Sequence, residues 1–200
     1  MEREQRQLRA QITNFETRED GETPHISGYF AVFNSNYEIC PGWSESIAPG
    51  AFSGSLGGDI RALTNHDSTL VLGRTTAGTL QLRQDERGLW ADIAINPKDS
   101  DAMNTWQRVL RGDVSQCSIG FEIIREETEL RQDGSTHWTI MEVNLFEVSV
   151  CTFPAYEETN ISARTRDRDA YKARQLAAWR ERMKGVLKHG PESPAAEEKD

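Results

Sequence analysis

The strongest constraint on this chain is an apolar period of two, written in short runs cut by glycine and proline. Such alternation fits one face of a strand, whereas a helix needs apolar residues three and four positions apart. Residues 24–34 (PHISGYFAVFN) set Ile26, Phe30 and Val32 against Tyr29 and Phe33, and residues 8–16 alternate more weakly. Both predict strands. From there to Gly58 the punctuation of IAPGAF and SGSLGG predicts a loop. DIRALTNHD predicts a short strand running into polar residues, and TLQLRQDERGLWADIAI two strands around a turn at Asp85–Gly88. CSIGFEII predicts another strand and HWTIMEVNLFEVSVCTFPAY two more. One segment departs from the period. Pro97–Arg111 predicts a helix capped by Asp99 or Ser100, with Met103, Trp106, Val109 and Leu110 on its apolar stripe and Gly112 as its stop. A mainly β chain with an inserted helix points to a barrel or a sandwich.

After Thr159 the character changes. RTRDRDAYKARQLAAWRERMKGVLKHG is charged and helix-forming, with Tyr171, Leu176, Trp179, Met183 and Leu187 near one face. PESPAAEEKD has the composition of a disordered end. The expected organisation is a β domain over residues 1–164 and a charged helical tail over 165–200, joined by an exposed polar linker, SARTRDRD.

Composition excludes several classes. The net charge is −9, from 23 basic and 32 acidic residues. That argues against a nucleic-acid binder, which carries a basic face. No apolar run approaches a membrane span, and MEREQRQLRA lacks the apolar centre of an export signal. Cys40, Cys117 and Cys151 are odd in number and have no metal-type spacing, which fits a reducing compartment. His25, His66, His137 and His189 form no ligand pair at helical spacing, so no metal or other cofactor is expected.

Three residues could carry chemistry. His66, in Thr64-Asn65-His66-Asp67, reads by itself as a solvated loop histidine. Ser118 shares a strand face with Gln116, Gly120 and Glu122, while Cys117, Ile119, Phe121 and Ile123 occupy the other. It is either a wall hydroxyl beside a bulge at Gly120, or a nucleophile where glycine leaves room for a substrate. Glu147 lies between Phe146 and Val148, and alternation groups it with Leu145, Ser149 and Cys151. A carboxylate there needs a partner, because burying an unpaired charge is costly. An arginine would make it structural; a histidine would make it an orienter of imidazole.

GYFAVFN, IAPGAF, NHD…VLGRT, GTLQL…ERGLWADI, CSIGF and LFEVSVCTFPAY stand in the order found in the prohead maturation proteases of tailed phages. The chain resembles that family over about residues 9–164. The family is similar in fold to the herpesvirus assemblins, so the resemblance implies a closed β-barrel with surrounding helices. It also implies a serine endopeptidase working in the host cytoplasm, inside the immature capsid. Its substrate would be the scaffolding segment of the major capsid protein, or a separate scaffold protein, and the enzyme itself; self-association is compatible with this. Carried over by motif, His66 is the general base, Ser118 the nucleophile and Glu147 the acid that orients His66. A competing register is the assemblin pattern V-S-x-C-x-x-G, which fits Val114–Gly120 and makes Ser115 the nucleophile. The phage pattern covers more of the chain and favours Ser118. Asp67 and His137 are the substitutes for the third position. A non-catalytic capsid-assembly or scaffold-binding module is the alternative function.

Overall fold

The computed structural model describes residues 5–10, 16–20, 23–153 and 168–181. Contacts divide the chain into two units, Met1–Asn160 and Ile161–Asp200.

The described part of the first unit holds eleven strands, one α-helix and a single 3-10 turn. Seven strands form one sheet: β1 (Gln5–Ala10), β10 (Gln116–Leu130), β11 (Thr136–Cys151), β5 (Trp43–Ile47) and β4 (Tyr37–Cys40) in that order, with β6 (Arg61–Thr64) and β7 (Asp67–Arg74) branching from β11. Four others form a second sheet in the order β2 (Glu16–Asp20), β3 (Thr23–Val32), β9 (Gly88–Ala94) and β8 (Leu80–Gln84). Ile26 and Phe30 of β3, Leu89, Ala91 and Ile93 of β9, Cys117, Ile119 and Phe121 of β10, and Val148 and Val150 of β11 belong to one buried cluster. The Cys117 thiol reaches the carbonyl of Phe30 at 3.6 Å, a direct contact between the two sheets.

The implied closed barrel is corrected. Among the described strands neither sheet closes on itself. The physical reason lies in β11. Its first half pairs in parallel with β5, from Thr136 opposite Trp43 to Ile140 opposite Ile47, and its second half with β6, from Glu147 opposite Arg61 to Val150 opposite Thr64. The sheet therefore forks at β11 instead of passing from strand to strand around a cylinder.

Local chemistry explains most elements. In α1 (Ser100–Arg111) the Asp99 side chain accepts the N–H groups of Asp101 and Ala102, and Gly112 closes the helix at φ 84°. Ala102, Thr105, Trp106 and Val109 are its buried residues, whereas Leu110 faces solvent. The loop expected before Gly58 contains the β4–β5 hairpin. The two strands expected between His137 and Tyr156 are one, β11, sixteen residues long.

Two bulges reverse the alternation read from sequence. In β3 the register slips between Tyr29 and Ala31, so Phe33 is buried and Val32 only half-buried. In β11, Gly120 pairs with Glu147 but the next residue, Phe121, pairs with Leu145, which leaves Phe146 unpaired. Leu145 and Val148 then both enter the core, and Leu145 does not share the face of Glu147.

In the second unit residues 168–181 are helical, with Leu176 and Trp179 exposed. Met183 and Leu187, the rest of the expected stripe, lie outside the described residues, as does residue 165 where the tail was expected to begin.

Candidate active site

The site is built across neighbouring strands of the large sheet. On β10, Ser118 stands opposite Ser149 of β11, and Gly120 opposite Glu147. Directly paired residues point to the same face, so Ser118, Gly120, Glu147 and Ser149 share one surface. β6 lies on the other side of β11, and its hairpin to β7 turns at Asn65-His66. Both turn residues have positive φ, 52° for Asn65 and 60° for His66. A two-residue hairpin requires that, but asparagine and glycine tolerate it far better than histidine. The turn is tied to β11 at three points. The Asn65 N–H donates to the Val150 carbonyl at 2.9 Å, the Thr152 N–H to Asn65 Oδ1 at 2.8 Å, and the His66 N–H to Ser149 Oγ at 3.2 Å.

So held, the His66 ring faces Glu147, with Nδ1 2.5 Å from Glu147 Oε1. Each side chain is 13% exposed. The second carboxylate oxygen, Oε2, accepts the Ser149 hydroxyl at 2.6 Å. A β-carbon added at Gly120 would lie 2.3 Å from Glu147 Oε1; only glycine leaves the carboxylate its place. On the other side of the ring, Nε2 is buried with no hydrogen-bond partner among the described residues. An imidazole with Nδ1 on a carboxylate and Nε2 uncommitted is arranged to take a proton at Nε2 and to be stabilised as imidazolium.

His66 and Glu147 are thus brought together directly, and the ladder sets Ser118 beside Ser149, the residue that contacts both. Ser118 has no exposed surface. Ser115 lies outside β10 and is exposed. Neither substitute orienter reaches His66. Asp67 is exposed and accepts both the N–H and the hydroxyl of Thr69, at 2.8 and 2.6 Å, and those bonds hold its carboxyl below the usual range. His137 sits in the other half of β11 between Ser44 and Ser46, at 2.8 and 2.9 Å. Burial pushes the Cys117 thiol well above its ordinary pKa, which suits a packing residue and not a thiolate. Cys151 is pushed up to about 12, chiefly by burial and then by the Glu147 charge. Ser149 and Asn65 carry roles that the motifs do not disclose. The signals were an i, i+2 spacing from Glu147 and an asparagine at a tight-turn position.

Residues 13–174 match the family described as caudovirus prohead serine protease. The chain belongs to this family. Its relatives include the prohead protease of Enterobacteria phage HK97, 30% identical over 148 residues that make up 72% of this chain and 61% of that protein. The chain therefore spans somewhat under two thirds of that relative's length. Among solved structures, the capsid assembly protease of bacteriophage T4 aligns with a TM-score of 0.44 at 7% identity, over 74% of this chain and 98% of that one. Among the described residues no helix is long and apolar enough to cross a membrane.

Proposed function

We propose that this family member is a serine endopeptidase of prohead maturation, with Ser118 as nucleophile, His66 as general base and Glu147 orienting His66. The observation that carries the reading is the His66 Nδ1–Glu147 Oε1 contact of 2.5 Å on the sheet face shared with Ser118. Ser118 Oγ attacks the scissile carbonyl as its proton passes to His66 Nε2. The tetrahedral intermediate collapses, His66 returns the proton to the leaving amine, and a water activated at the same nitrogen releases the acyl group from Ser118. Glu147 remains ionised throughout and stabilises the imidazolium.

The substrate is the scaffolding segment of the major capsid protein or a separate scaffold protein, cut inside the immature capsid, with self-cleavage in the polar stretch before residue 168 as a companion event. Family membership supports this part of the reading. The full burial of Ser118 favours the second reading, a non-catalytic capsid-assembly or scaffold-binding module. A fluorophosphonate separates the two, because only an activated serine reacts. Labelling should be lost in Ser118→Ala and kept in Ser115→Ala. Co-expression with the cognate capsid protein should yield a shortened product only while Ser118 is intact. An unlabelled wild-type protein with an unshortened capsid partner supports the module instead. Labelling that survives Ser118→Ala and vanishes in Ser115→Ala transfers the nucleophile to Ser115.

A further inference from the structure

We infer that Ser149 is a positioning residue of this site, a single hydroxyl that clamps the general base and its carboxylate to each other. The inference rests on the serine-protease reading above and goes one residue beyond it. Ser149 is fully buried. Its Oγ donates to Glu147 Oε2 at 2.6 Å and accepts the backbone N–H of His66 at 3.2 Å. The first bond fixes the plane of the carboxylate. A carboxyl torsion is otherwise broad and roughly two-fold, and rotation about it would carry Oε1 away from Nδ1. The second bond holds the backbone on which the imidazole is mounted. That backbone has φ 60°, a conformation that persists in histidine only where surrounding contacts enforce it.

The balance of donors assigns the role. Ser149 has one proton, and it is committed to Glu147. One of its two lone pairs accepts the His66 N–H. Ser149 therefore offers no proton to His66 Nε2, and it acts through the ring. Its place in the ladder opposite Ser118 sets the clamp beside the bond-forming atom without touching substrate.

The test uses the full chain and a fluorophosphonate, read as the limiting labelling rate of Ser118, the half-saturating probe concentration and the melting temperature. Ser149→Ala should lower the limiting rate roughly 10–100-fold with the half-saturating concentration within about twofold, since it removes an interaction that matters at the transition state and not in binding. Ser149→Thr, which keeps the hydroxyl, should recover most of the loss. Added to Glu147→Gln, Ser149→Ala should cost less than about threefold more, because residues that act as a unit are not additive. If Ser149→Ala does not fold, Ser149→Cys replaces it, keeping the volume with only a weak donor. A wild-type limiting rate in the folded variant overturns the inference. So does a double variant that loses the full product of the two single effects, which marks Ser149 as a merely structural residue. Survival of labelling in Ser118→Ala rejects the catalytic reading itself. Loss in Ser118→Ala with a normal rate in Ser149→Ala rejects the clamp alone.

Discussion

Gly120→Ala separates the cost of disturbing this site from the cost of unfolding it. The added β-carbon would stand 2.3 Å from Glu147 Oε1, 2.9 Å from Cδ and 3.0 Å from Cγ. Carbon atoms at rest lie about 3.5–4.0 Å apart, so the carboxylate must retreat by on the order of 1 Å. All three obstructing atoms belong to one flexible side chain, and the fold can yield there. A small overpacking of this kind costs about 1–3 kcal/mol, or a melting temperature lower by roughly 2–12 °C for a domain of this size. The proposed catalysis has no such slack. The His66 Nδ1–Glu147 Oε1 distance of 2.5 Å lengthens past the hydrogen-bond range, and the imidazolium loses its counter-charge. Losing the orienting acid of such a triad costs about 10²–10⁴-fold, or ~2.7–5.4 kcal/mol of transition-state stabilisation. The assay pairs the fluorophosphonate labelling rate with thermal unfolding of the same sample. A folded Gly120→Ala protein that labels within about threefold of wild type, while Ser118→Ala fails to label, would refute the argument that Gly120 exists to seat Glu147.

His66→Gly and His66→Ala should both abolish labelling, yet the glycine variant should be more stable by about 1 kcal/mol, because φ 60° penalises any β-carbon; equal stability in urea unfolding would show that the turn relaxes. The buried thiols predict a pH dependence. Cys151 is raised to about 12 and Cys117 well above its ordinary value, whereas unfolded thiols ionise near pH 8.5. Their contribution is fully present below that pH and is lost as pH rises toward the folded values, for Cys151 at about 1.4 kcal/mol per pH unit. Urea unfolding at pH 8.5 and 10 should show a fall to which Cys151 contributes roughly 2 kcal/mol, and Cys151→Ala should remove that part; an unchanged slope in that variant would contradict the assignment.

Legibility from sequence followed the range of the interactions. The Asp99 cap, the Gly112 stop and the β8–β9 hairpin at Asp85–Gly88 are local and were readable as spelled. β7 was not, because it is largely exposed and its pairing with β6 slips twice, so no alternation is written into it. β4 and β5 were lost among glycine and proline signals that mark only their ends. Alternation itself misled at Phe30 and Phe146, where a bulge inverts the faces and only the partner strand reveals it. His66, Ser118 and Glu147 became candidates through family motifs, since residues so far apart in the chain advertise no contact. Ser149 looked like one more residue of an alternating strand, and its bond to His66 depends on a hairpin more than eighty residues away.

A second serine, histidine and carboxylate lie together in the small sheet, and they show what distinguishes the proposed site from a polar cluster. His25 Nδ1 is 3.1 Å from Asp92 Oδ2, and Ser27 stands opposite Asp92 in the β3–β9 ladder. By residue type this trio matches the first. Its physics differs. His25 lies within β3, and its φ is not positive, unlike that of His66. The Ser27 hydroxyl donates to the backbone carbonyl of Glu16 at 3.4 Å, so its proton serves the pairing of β2 with β3. Strain concentrates at the other trio instead: positive φ at Asn65 and His66, and a glycine that a β-carbon would drive into Glu147. Local rules broken together at one place, and held there by surrounding bonds, mark function better than residue identity does. Ser27→Ala should therefore label with fluorophosphonate at the wild-type rate and lose about 0.5–1.5 kcal/mol of stability for one neutral hydrogen bond. Mass mapping of the labelled peptide decides between the trios: a label on Ser27, or a labelling rate that falls in Ser27→Ala without a matching loss of folded protein, would move the active centre to the small sheet.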